Sequence, residues 1–367
     1  MTEINYKTPS SPLQKWLVKA KHFANHPYFP ILLLGAILLL LQIIGQTGLV
    51  RPSTLGFINT VLIRYIVAVG FMLLLGYAGL ASLGTAGFIG FGAYLMGYLY
   101  QSKGIGSELI LVIGILLSLL IGSFVGIISL RIEGMYLAII TLGISEIFRI
   151  LFNQLPFLGQ ATGLNLNEIY FLGIRSSLTE RYNSMYYVIV VLLILIMIWI
   201  VNIINSPTGR AMLSIKNSTS AAQAMGISIF KYRVTAFLVA TMLAVLAGML
   251  HMLRTTTSNP INWGIDLSLN ILAAVVIGGT KNIWGVLIGT FIIYGLKDLV
   301  FIHIPFFQTY KNAYLMVNGL LIILVVMFYP GGVIRMFTDL KNLFKKWFRK
   351  LSTLWKEYRY GKDFDKH

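Results

Sequence analysis

A chain of 367 residues in which 57% are hydrophobic and only 11% charged, against the roughly 25% of an ordinary soluble domain, does not fold as a water-soluble globule. It has no cysteine, which removes disulfides and thiolate ligands. Its five histidines (His22, His26, His251, His303 and His367) include no pair at ligand spacing, so no metal site is expected. The net charge of +17 would fit nucleic acid only as a basic face on a folded domain, whereas here the basic residues lie in polar segments between long apolar runs. Their expected role is to set membrane topology, with no nucleic-acid partner.

Residues 1–27 form a basic extension with Lys7, Lys15, Lys19 and Lys21. The apolar run from Tyr28 to about Thr47 is too long for the core of a signal peptide and is followed by no small-residue cleavage pattern, so it reads as a retained span. A bilayer core takes about 20 apolar residues per helix. The chain offers about ten such runs (eight to ten), near 28–47, 55–75, 86–101, 108–130, 135–153, 184–204, 233–253, 268–279, 285–302 and 312–329. The expected fold is therefore all-α: a polytopic transmembrane helix bundle over residues 28–332. The third, eighth and ninth runs are short or interrupted by glycine.

With the N-terminus inside, twenty Lys and Arg fall on the cytoplasmic face and six on the other, while Arg64, Arg149 and Lys297 lie within spans or at their ends. This asymmetry favours an N-in, C-in arrangement with an even number of spans. The longest outer loop, about 154–183, holds Pro156, Gly159, Gly163 and Gly173 with few charges and is expected to pack on the outer mouth. The tail, 333–367, alternates Phe337, Leu340, Phe344, Trp347, Phe348, Leu351 and Trp355 with lysines and arginines. That period suits a helix lying on an anionic leaflet as a basic anchor.

No Gly-x-x-x-x-Gly-Lys-Ser/Thr run is present, so any ATP and its Mg²⁺ would be bound by another chain, and this chain needs no cofactor. Between Gly76 and Tyr94 stand six glycines within 17 residues: Gly76, Gly79, Gly84, Gly87, Gly90 and Gly92. They are too many for an uninterrupted helix and suit a broken one packed closely on its neighbours. The polar loop at about 205–233 carries Thr208, Gly209 and Arg210, then Ala221, Ala222 and Gly226, and closes on Lys231, Tyr232 and Arg233. Asn217 or Ser218 can cap a short helix with a smooth small-residue surface, and Gly226 supplies a left-handed stop. Such a helix, protruding into the cytoplasm, can seat in a partner's groove and transmit motion as a lever.

At this loop the sequence resembles a known family. Ala221, Ala222 and Gly226, preceded by Thr208-Gly209-Arg210, are similar to the coupling loop of ATP-binding-cassette importer permeases, with Ser220 where many such loops carry glutamate. The Gly76–Tyr94 stretch resembles the signature after the second span of branched-chain amino acid permeases, with Thr85 at a position often occupied by histidine. Leu130 to Leu142 resembles that family's turn into the fifth span, and Val276 to Gly289 its Gly-Gly, then Trp-Gly, hairpin. The likeness covers about residues 55–335. It implies the second-permease type of a high-affinity branched-chain amino acid importer in a bacterial plasma membrane. The implied partners are a second homologous permease, two ATP-binding subunits and an extracellular solute-binding protein.

Ionisable residues at membrane depth line a cavity or pair with each other. Glu146 and Arg149 lie three apart on one helix face, so an internal pair accounts for both. The alternative is a polar route for a zwitterion through Asn59, Thr85, Thr141, Ser145, Glu146 and Asn270. Related importers of urea, amides or nucleosides share these motifs. A secondary transporter would need inverted repeats and several embedded carboxylates, of which only Glu146 is a candidate, and an intramembrane enzyme would need a catalytic cluster that the chain lacks.

Overall fold

The computed structural model describes residues 28–47, 52–129, 136–177, 185–295, 304–310 and 313–329, with part of 331–347. The N-terminal lysines, Arg51, Arg131 with the turn around it, Arg181, Lys297, Lys311 and most of the basic tail lie outside the described residues.

Thirteen helices are described: α1 (Phe29–Gln46), α2 (Pro52–Met72), α3 (Thr85–Lys103), α4 (Ser107–Ser129), α5 (Tyr136–Gln154), α6 (Met185–Asn205), α7 (Pro207–Asn217), α8 (Thr219–Ala224), α9 (Ile229–Thr255), α10 (Ile265–Gly278), α11 (Ile283–Gly295), α12 (Pro305–Thr309) and α13 (Ala313–Phe328). Among the described residues six helices are long and apolar enough to cross a bilayer: α1, α2 with its π-helical extension Leu73–Tyr77, α4, α5, α6 and α9. The third apolar run is the continuous 19-residue α3. The eighth is α10, whose 14 residues rise only about 21 Å, short of the roughly 30 Å hydrocarbon core.

Burial ranks these helices. α2 and α9 are 83% and 78% buried across their apolar windows, whereas α1, α4, α5 and α6 are 22–33% buried. The first two form the centre, with Tyr65, Ile66, Val69 and Met72 of α2 and Leu243, Ala247 and Leu250 of α9 wholly enclosed. The others surround them and turn side chains such as Leu116, Leu120, Phe124, Ile139 and Leu195 outward, as a lipid-facing surface allows. Close approach at the centre depends on glycine: a Cβ at Gly92 of α3 would overlap the Val245 carbonyl oxygen of α9, and one at Gly248 the Ile89 carbonyl oxygen of α3.

The connections gather at two ends of the bundle. At one end the loop expected to lie outside is ordered into β1 (Leu164–Asn165), β2 (Glu168–Phe171) and β3 (Ile174–Ser177). β1 pairs antiparallel with β4 (Thr257–Ser258), and β2 pairs with β3. β1 and β4 were not legible as such, because two residues are too few for a two-residue period to register. Glu108 at the start of α4 accepts the Leu172 N–H, and Tyr100 accepts the Tyr170 N–H at 3.1 Å, tying the loop to the bundle. At the other end lie residues 78–84, the α7–α8 segment and the α10–α11 turn.

Candidate functional site

The site begins where α2 stops. Its last turn widens into the π-helix Leu73–Tyr77, and residues 78–84 are not helical. Gly79, at φ +71°, occupies the left-handed region that side-chain-bearing residues rarely adopt. At Gly76 a Cβ would overlap the Thr280 carbonyl oxygen in the α10–α11 turn. The break expected in the glycine-rich stretch therefore falls at residues 78–84. Gly87, Gly90 and Gly92 sit instead within unbroken α3, where missing side chains let Ser145, Phe152 and Val245 approach.

A helix starting inside a bundle leaves backbone N–H groups without partners, and Gly84 at the cap position of α3 has no side chain to offer. Neighbouring helices satisfy them. Leu83 N–H donates to Thr141 Oγ1 at 3.0 Å, Ala86 N–H to Ser268 Oγ at 2.9 Å and Gly87 N–H to Ser145 Oγ at 2.8 Å. Thr141 and Ser145, expected as polar groups of a solute route, thus hold the α3 start to α5; Ser268, from α10, was not foreseen. Beside this start a crevice opens between α2, α3 and α9. It is apolar along Val67, Phe71, Phe88 and Phe237, with Ser82, Thr85 and Thr241 as its polar groups.

The remaining expected route residues lie elsewhere. Asn59 is buried in α2, 2% exposed, with Oδ1 lacking a hydrogen-bond partner, and Asn270 is half-buried on α10. Glu146 accepts a hydrogen bond from Arg149 Nε at 2.7 Å, as the internal pair requires. A charge-swapped chain, Glu146→Arg with Arg149→Glu, is expected to keep most wild-type uptake. Glu146→Gln strands Arg149 at membrane depth and should lower the amount of inserted protein rather than uptake per inserted molecule. Uptake normalised to membrane-inserted chain reads the difference. Among the described residues no group of three or more His, Asp or Glu is placed to hold a metal ion.

The α7–α8 element lies next to the break. Ser206 caps α7 by accepting the Thr208 and Gly209 N–H groups, Pro207 occupies its first turn, and Arg210 Nη1 donates to the Asn205 carbonyl at 3.0 Å. Ser218 caps α8 by accepting the Ala221 N–H at 3.3 Å, and Gly226, at φ +77°, ends it. Ala222 faces inward, 1% exposed, while Ala221, Gln223 and Ala224 face out. Beside them Met225 and Phe230 protrude, 70% and 48% exposed.

On the buried side of α7, Lys216 reaches the end of α2. Its Nζ donates to the Leu75 carbonyl at 3.1 Å and the Gly76 carbonyl at 2.9 Å. These oxygens belong to the last turn of the α2 rod, where acceptors lack helical partners and the dipole favours a cation. Burial first, and then the charge of Lys281, push the Lys216 ammonium below the ordinary lysine value. Tyr77 completes the junction by donating to the Lys281 carbonyl at 3.3 Å. In the sequence Lys216 is one of many loop cations; nothing in its spacing connects it with residue 76.

The model of the family described as branched-chain amino acid transport system, permease component, matches residues 53–326. The chain is 26% identical over 320 residues to the high-affinity branched-chain amino acid transport system permease protein LivM of Escherichia coli K12, covering 81% of this chain and 74% of that protein. It is 25% identical over 317 residues to the probable branched-chain amino acid transport permease protein LivM of Methanocaldococcus jannaschii, covering 74% and 90%. A shorter match, 32% identical over 111 residues, joins 26% of this chain to 34% of the ribose import permease protein RbsC of Haemophilus influenzae. No solved structure matches the chain.

Proposed function

The chain belongs to the branched-chain amino acid transport system permease family, and from that premise we propose that it forms the translocation pathway for leucine, isoleucine and valine in an ATP-binding-cassette importer. It is a multi-pass membrane protein and a transport subunit rather than an enzyme. In the proposed assembly it pairs with a second homologous permease. Two ATP-binding subunits bind ATP and Mg²⁺, and an extracellular binding protein delivers the solute. Residues 205–233 serve as the coupling segment within the permease domain 28–332.

The observation that carries this reading is the contact of α7 with the broken end of α2 through Lys216. An element that seats in a moving partner is useful only if its displacement reaches the pathway, and this contact supplies the connection. α8, with its small-residue face and the protruding Met225, presents the docking surface. α7 passes the movement to residues 75–84, and the break lets α2 and α3 shift independently around the crevice. The apolar crevice wall suits an aliphatic side chain, and Thr85 with Ser82 and Thr241 supplies polar contacts for its backbone groups.

Proteoliposomes containing the full assembly test the proposal. Uptake of leucine, isoleucine and valine is expected to require both ATP and the binding protein and to exceed that of urea, amides and nucleosides by roughly a hundredfold. Preferred uptake of urea or a nucleoside would reassign the substrate. Leucine accumulation by this chain alone in ATP-free vesicles would replace the mechanism with that of a secondary transporter.

A further inference from the structure

Among the described residues, α2 holds a buried cation with no carboxylate partner. Arg64, on α2, is 8% exposed, and its Nη1 has no hydrogen-bond partner. Its guanidinium lies over the ring of Trp263, 5.8 Å from the centroid. Trp263 is fully enclosed and fixed by its Nε1–H, which donates to Ser258 Oγ at 3.0 Å. His251, from α9, meets the same ring edge-on at 5.2 Å and has a buried Nδ1 without a hydrogen-bond partner. One turn from Arg64, Thr60 accepts a hydrogen bond from Arg254 Nη1 at 2.6 Å. Arg254 is a second cation nearby and Tyr294 of α11 is an electrostatic neighbour of Arg64, and the ion pairs formed among the described residues join Arg149 to Glu146 and Arg175 to Glu168, not Arg64 to any carboxylate.

A guanidinium remains charged in a protein, and enclosing that charge without an anion is strongly unfavourable. The face of Trp263 compensates in part through its quadrupole. It leaves the edge of the guanidinium, with Nη1, unused. The guanidinium thus lies over an aromatic face with a buried Nη1–H that a carboxylate oxygen could accept.

Position along α2 indicates what kind of anion. Arg64, Val67, Phe71 and Leu74 recur at spacings of three, four and three, which places them on one face of the helix. The last three line the crevice between α2, α3 and α9, and Arg64 stands one turn before Val67 on the same face of α2. Val67 is about 4.5 Å from Arg64 along the helix axis. A ligand with a carboxylate at one end and a branched aliphatic body within that reach matches both features.

We propose that Arg64 is the carboxylate-binding group of the translocation path. The Nη1–H donates to an α-carboxylate oxygen of the passing amino acid while Trp263 holds the guanidinium plane. The aliphatic side chain of the solute lies along Val67 and Phe71. This assignment rests on the transport reading above. It adds a station within the permease that distinguishes a carboxylate-bearing solute from its neutral analogue.

The test separates the two ideas. Wild-type assembly in proteoliposomes is first assayed for binding-protein-dependent leucine uptake, and failure there refutes the transport reading alone. The same assembly in nanodiscs, without binding protein, is then assayed for radiolabelled leucine binding. The competitors are isovalerate, which keeps the carboxylate and branched body; leucinamide, which masks the carboxylate; and chloride. Leucine and isovalerate should compete, leucinamide roughly tenfold more weakly, and chloride not at all. Arg64→Gln should weaken leucine binding roughly tenfold or more and erase the difference between isovalerate and leucinamide. Arg64→Lys, which keeps the charge but not the fork, should recover part of the binding. Melting temperatures of all assemblies report folding.

An Arg64→Gln or Arg64→Lys assembly that melts like wild type and still discriminates fully against leucinamide would overturn the proposal. So would chloride competing as well as isovalerate, which would make the site one for an inorganic anion. Absence of millimolar leucine binding in a wild-type preparation that imports leucine would overturn it as well.

Discussion

Replacing Gly92 or Gly248 with valine should abolish accumulation of folded permease. The two glycines lie on opposite sides of the α3–α9 crossing, where a Cβ at either position overlaps a carbonyl oxygen of the facing helix: Val245 for Gly92 and Ile89 for Gly248. A flexible side chain can turn away from such an intrusion, but the backbone of a buried helix cannot. Overpacking that side chains absorb costs about 1–3 kcal/mol, and forcing two central helices apart should exceed about 3 kcal/mol for either residue alone. Against a total stability of about 5–15 kcal/mol, that is enough to remove most of the folded population. The measurement is the monodisperse fraction after solubilisation together with the melting temperature. Gly143→Ala, on α5 with no atom within 4 Å of the added Cβ, should stay within about 0.5 kcal/mol of wild type. A Gly92→Val chain that melts like wild type would show that the crossing is looser than described.

Lys216→Met should separate ATP turnover from solute movement. The substitution keeps the length and apolar stem of the side chain and removes the donor that holds the Leu75 and Gly76 carbonyls. Charge-assisted hydrogen bonds contribute about 1.5–3 kcal/mol each, and losing the pair should lower leucine moved per ATP hydrolysed by roughly tenfold or more. ATP hydrolysis should persist, because α8 and its exposed Met225 are untouched. Lys216→Arg should recover part of the coupling, since a guanidinium can still donate to two oxygens. Leucine uptake and phosphate release, measured on one proteoliposome preparation, give the ratio directly. An unchanged ratio in Lys216→Met would remove the residue from the coupling path. A parallel loss of hydrolysis would mean that it supports the docking surface instead.

Much of the local structure was legible before any tertiary arrangement was known. Ser218 was one of two expected caps for the short helix, and Gly226 was its expected stop; both act through backbone groups a few residues away, which is the range that residue type controls. Glu146 and Arg149 were readable as a pair because helical spacing alone brings them together. The glycine-rich stretch was readable as a break, but its position was not. Gly79 and Gly92 are the same residue type, and only their neighbours differ: one bends the chain at φ +71°, and the other admits a second helix.

Thr141 and Ser145 show a similar limit. Their polarity within a span announced a special environment, yet a hydroxyl facing a solute and a hydroxyl satisfying the Leu83 or Gly87 N–H have the same signature in a sequence. Ser268 left no signal, because its partner is 182 residues away. The outer strands escaped for another reason: β1 and β4 are two residues each, too short to establish a period.

Composition and the spacing of apolar runs determined that this chain is a helical membrane protein, because transfer from water to lipid depends on residue type summed over a span. Local order determined its caps and its i, i+3 ion pair. Tertiary structure alone decided that α2 and α9 are central, that the chain breaks at 78–84, that Lys216 reaches Leu75 and Gly76, and that Arg64 meets Trp263. Each of these joins groups on different helices. Within a bilayer, where apolar contact with lipid is about as favourable as contact with another helix, close approach and satisfied polar groups select among the possible arrangements. Those quantities exist only once the helices are together.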